Sequence, residues 1–69
     1  MDFHIATTDD FPKLPLIKKE FDIFRVLVYD FKKMFYVEVC RTNSIIRAYG
    51  KTKKKALKKA LKRVKSEVN

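Results

Sequence analysis

From residue 21 to residue 49 apolar and polar side chains alternate almost one for one. From residue 52 onward the apolar positions recur instead at spacings of three and four. The first pattern is that of half-buried strands, the second that of a helix with one greasy face. Residues 21–30, FDIFRVLVYD, are rich in β-branched and aromatic side chains. Alternation places Phe24, Val26 and Val28 on one side and Ile23, Arg25, Leu27 and Tyr29 on the other. Residues 34–42 repeat it, with Phe35, Val37 and Val39 against Tyr36, Glu38 and Cys40. The DFKK stretch at 30–33 reads as a hairpin loop. Asn43-Ser44 reads as a tight turn, since Asn tolerates the left-handed conformation, and residues 45–49 as a third strand. Ala56, Leu57, Ala60, Leu61, Val64 and Val68 then form one helical face. The expectation is an α+β fold: a three-stranded antiparallel sheet packed by one C-terminal helix (β-β-β-α). Its core is made where the Phe24 and Phe35 faces meet that helix.

Two residues mark the junction of strand and helix. Gly50 is the only glycine of the chain; it falls where positive φ or a close backbone approach is needed. Thr52 is placed to cap the helix with its hydroxyl. The first 20 residues read differently. Pro12 and Pro15 forbid a long helix, although Pro15 fits the first turn of a short one running through Leu16, Ile17, Glu20 and Phe21. Phe3, Ile5, Phe11 and Leu14 are too apolar for a solvated tail. The chain thus divides into an irregular, docking N-terminal segment (1–20) and a folded domain (21–69).

Charge alters the picture. The net charge is +9, and its placement is uneven. Residues 51–65 hold nine Lys and Arg and no acid, whereas residues 1–50 hold eight basic and seven acidic residues. A field concentrated on one helix is the electrostatic footprint of a polyanion-binding surface. Few arginines, and no Asn or Gln on the basic helix, favour recognition of backbone or shape over base reading.

Catalytic chemistry is not in view. His4 stands alone and reads as an ordinary surface or docking histidine. Asp9 and Asp10 read as loop polarity or a cap, and Cys40 as a small packing residue within a strand. One histidine and one cysteine make neither a structural zinc site nor an internal disulfide. The expectation is a protein that is not an enzyme, with no cofactor or metal. Without an apolar span or signal-like opening it reads as cytoplasmic, with no membrane partner.

The stretch from about residue 23 to residue 66 resembles the C-terminal half of the double-stranded-RNA-binding domain family. Phe35, Val37 and Val39 stand for that family's strand. Ala48, Gly50, Thr52, Lys53, Lys54, Ala56, Ala60 and Leu61 follow at its spacing. The resemblance implies a dsRBD-like domain whose lysine pair, Lys53 and Lys54, bridges phosphates across the major groove of duplex RNA, with Lys51 and Thr52 beside them. Lys58 stands next to Leu57, which occupies the family's next basic position, and Lys32 and Lys33 stand in place of the family's minor-groove loop. The family's first helix is missing or reduced. Three functions stay open. One is sequence-independent binding of structured RNA. A second is a protein-interaction or homodimerisation module using the outer sheet face, where Ile23, Leu27, Tyr29, Tyr36 and Tyr49 lie among Arg25, Glu38 and Arg47. The third is a small DNA-binding module.

Overall fold

The computed structural model describes the backbone of residues 2–68 and the side chains of residues 2–67. Its elements are β1 (Asp2–Ile5), α1 (Leu14–Glu20), β2 (Ile23–Asp30), β3 (Phe35–Arg41), β4 (Ile45–Gly50) and α2 (Lys53–Val68). The sheet is antiparallel throughout, in the order β1-β2-β3-β4. Both helices contribute to one core on one side of it. α2 lies across β3 and β4, and α1 lies over β2.

The sheet therefore has four strands, not three. The N-terminal segment is not irregular: Asp2–Ile5 pairs with Leu27–Asp30, and the pairing continues as Ala6 N–H donates to the Val26 carbonyl at 2.8 Å. A docked apolar segment finds its backbone partners most cheaply at an unpaired strand edge, and β2 offers one. The proline-broken stretch also folds. Pro15 sits in the first turn of α1, where its missing N–H costs nothing, and Leu14 is buried.

The core is built from Val26, Val28, Val37, Val39, Ile46 and Ala48 of the sheet with Leu14, Ala56, Leu57, Ala60, Leu61 and Val64 of the helices. Val68, expected on the same helical face, has its side chain outside the described residues. Two core expectations need correction. Phe24 is 60% exposed and Ile23 is buried. The ladder slips between Ile23 and Arg25, where β2 spends an extra residue against β3. A bulge of this kind reverses the alternation, so Ile23 joins the inward row and Phe24 leaves it. Phe35 packs only at the margin of the core.

The turns are mostly where alternation stops. Residues 31–34 close the β2–β3 hairpin, with Phe31 N–H donating to the Met34 carbonyl at 3.0 Å and Lys32 at φ 71°. At 41–44, Arg41 N–H donates to the Ser44 carbonyl at 2.9 Å. Asn43 is not left-handed there; among the described residues positive φ falls at Asp22 and Lys32.

Candidate nucleic-acid interface

The position of α2 is set by two backbone details. Gly50 has no positive φ. It is glycine because a Cβ there would lie 2.5 Å from the Ala56 nitrogen and 2.9 Å from its Cα. Close approach, not turn geometry, is the requirement. Thr52 then caps the helix as expected. Its Oγ1 accepts the Lys55 N–H at 3.1 Å, and its carbonyl accepts the Ala56 N–H at 3.0 Å.

With the small residues Ala56 and Ala60 turned to the sheet, the outer surface of α2 belongs to cations. Lys54, Lys58 and Lys62 run down one i,i+4 row, and Lys55, Lys59 and Arg63 down the next; all are exposed. No acid sits in the first turn, where the helix dipole would favour one. Each like-charge neighbour at i,i+4 costs an isolated helix about 0.2–0.5 kcal/mol. Arg63 also reaches the outward carbonyl of Arg47 on β4.

The residues expected from sequence do not all play one part. Lys51, Thr52, Lys53 and Lys54 stand together at the start of α2. The pairing of Asp30 with Phe35, and of Phe35 with Gly50, brings the turn carrying Lys32 and Lys33 to that same end of the sheet. Lys58 lies one turn further along α2. Thr52 uses its hydroxyl for the cap. Lys53 is neutralised: its Nζ is 2.6 Å from Asp10 Oδ1. Asp10 also accepts the Thr7 N–H at 3.0 Å and contacts His4 Nε2 at 3.1 Å. Burial pushes the Asp10 carboxyl up, but Lys53, the Thr7 amide and His4 together outweigh it and hold the group below its usual 3.8. Asp10 thereby ties the β1–α1 loop to the start of α2. Among the described residues no other cation of α2 has a carboxylate within ion-pair reach.

Lys55, Lys59 and Lys62 extend the surface beyond the positions that the family resemblance implies. Their signal was present in the i,i+4 spacing.

The other side of the sheet is uncovered and holds a feature that alternation alone did not assemble. Phe3 pairs with Tyr29, Tyr29 with Tyr36, and Tyr36 with Tyr49. Their ring centroids are 5.4, 5.4 and 4.8 Å apart in that order, and Phe31 lies 6.3 Å from both Tyr29 and Tyr36. Glu38, from the adjacent row, holds the middle of this one. It accepts the Tyr36 hydroxyl at 2.9 Å, the Tyr29 hydroxyl at 3.3 Å and Arg47 Nε at 3.2 Å. Burial, and next the Glu38 carboxylate, push the Tyr36 phenol up to about 12. Cys40 is buried on this side as a free thiol.

Among the described residues no helix is long and apolar enough to cross a membrane. No family model matches the chain, and neither a curated protein nor a solved structure matches it.

Proposed function

We propose that this domain binds structured, double-stranded RNA in the cytoplasm, without catalysis and largely without regard to base sequence, through the outer face of α2. The observation that carries the reading is the pair of basic rows at Lys54, Lys58, Lys62 and Lys55, Lys59, Arg63, with no carboxylate in ion-pair reach of them among the described residues and Glu67 only at the far end of the second row. Such a surface is electrostatically costly alone, and phosphates relieve it. The family resemblance gives the choice of duplex RNA. Within Gly50-x-Thr52-Lys53-Lys54-x-Ala56, Gly50 and Ala56 are accounted for by close packing and Thr52 by capping. Lys54 and Lys58 are exposed and form no ion pair among the described residues. The order β2, β3, β4 and α2 is the β-β-β-α portion that the resemblance covers, with β1 and α1 before it.

The test is a salt titration of duplex RNA binding with wild type and Lys54→Glu/Lys58→Glu. The wild-type log K should fall by about one unit per log unit of salt for each phosphate neutralised. The variant, whose changes are on exposed positions, should melt like wild type and bind weakly with a shallower slope. Unchanged affinity would remove α2 from the interface. A DNA duplex of equal length, bound equally well, would turn the assignment towards DNA, since grooves and 2′-hydroxyls distinguish the two.

A further inference from the structure

The uncovered side of the sheet does not take part in the duplex reading. Four aromatic side chains, one from each strand, stand in a single cross-strand row there: Phe3, Tyr29, Tyr36 and Tyr49. On one side of it the next row carries Glu38 and Arg47, and the row after that Arg25; both arginines are exposed. With strands about 4.8 Å apart, the row spans roughly 14 Å. Neighbouring centroids at 4.8–5.4 Å are too close for rings lying side by side in one plane, so each ring partly overlaps the next. The two ends are open. Phe3 stacks on Tyr29 alone and Tyr49 on Tyr36 alone, and they are 61% and 51% exposed.

We infer that this row is a stacking platform for the unpaired bases of a single-stranded RNA segment. Charge decides between this occupant and a second copy of the chain. A copy brings another +9 and is repelled. The carboxylate beside the row, Glu38 of the adjacent row, is already taken up by two phenols and Arg47, so a polyanion meets no free acid at the rings. Exposed rings beside arginines are how strands are held without base reading, through stacking and contacts to the backbone. Glu38 acts as a positioning residue by fixing the two central rings through their hydroxyls. The inference rests on the aromatic row and not on the duplex reading.

The chain has no Trp, and its three tyrosines are all in this row. Intrinsic tyrosine emission therefore reports on this face alone. An unstructured single-stranded RNA of about ten nucleotides should quench that emission to saturation. Tyr49→Ala should weaken its binding at least about fivefold while leaving affinity for a blunt RNA duplex within about twofold of wild type. Phe3→Ala should do the same, but Phe3 lies on β1, so Tyr49→Ala is the deciding variant, with a thermal melt to show that it folds. Absence of quenching, or single-strand affinity indifferent to Tyr49→Ala, overturns the inference. So does a wild-type dimer in sedimentation that Tyr49→Ala dissociates, because that assigns the face to self-association. If Lys54→Glu/Lys58→Glu leaves duplex binding untouched while quenching persists, the duplex reading fails and the platform stands.

Discussion

Replacing Gly50 by alanine should destabilise the domain through one contact. The added Cβ lies 2.5 Å from the Ala56 nitrogen, and ordinary contact begins at 3.4 Å. The first turns of α2 must therefore retreat by about 0.9 Å. The atoms that must move are backbone rather than the tip of a flexible side chain, and Ala56 is fully buried between α2 and the sheet. Overpacking of this kind costs about 1–3 kcal/mol. Loss of glycine's freedom in the unfolded chain returns about 0.4–1 kcal/mol. The net loss is about 1–2 kcal/mol, out of roughly 3–10 kcal/mol for a chain of this size. Urea denaturation followed by circular dichroism should show a lower midpoint at an unchanged slope, and Tm should fall by about 5–15 °C. A midpoint equal to or above wild type would refute the reasoning. It would mean that α2 shifts without cost and that close packing is not why position 50 is glycine.

Other outcomes follow from single contacts. Thr52→Ala should cost about 1 kcal/mol by removing the cap on Lys55 N–H, with Thr52→Ser restoring most of it, both read from thermal melts. Asp10→Asn should lower stability at neutral pH. Because the folded carboxyl lies below 3.8, the wild-type advantage is present above that value and lost as pH falls through the folded one, so melts of the two proteins should converge in acid. The same variant frees Lys53, and duplex RNA binding should become tighter, with a salt slope steeper by about one. Tyr36, pushed up to about 12, favours the folded state fully below pH 10 and loses that contribution as pH rises towards 12. An ultraviolet titration should find this late phenol, and Glu38→Gln should bring it down only in part, because burial is the larger cause.

The elements legible in the sequence were those with a long, clean period. Six apolar positions from Ala56 to Val68 defined α2, and Gly50 and Thr52 marked its start. Alternation through Val26, Val28, Val37 and Val39 gave the inward faces of β2 and β3. What failed depended on partners distant in sequence. Phe3 and Ile5 are a pattern of only two positions, and β1 exists because β2 offers an edge. The bulge at Ile23–Arg25 shifts one residue, and no residue type announces it, so plain alternation points Phe24 inward. Lys53 looked free because Asp10 is far upstream and reaches it only after β1 has docked. The tyrosines fell on one side by parity, but register was needed to line them up, and Phe3 could join them only through β1.

The contact from Arg63 to the Arg47 carbonyl has a bearing on growth from molecule to molecule. β4 ends the sheet, and Glu38 and Arg47 form a pair whose backbone groups point away from each other, leaving that carbonyl to face out. A bare rim of this kind is a template on which another chain can lay its own strand. Here a guanidinium supplied by the adjacent helix occupies the template midway along six residues, with Lys59 one turn behind it. An incoming strand has to evict one cation and settle beside another. The molecule can thus leave a broad aromatic surface uncovered and still resist stacking rim to rim into fibres.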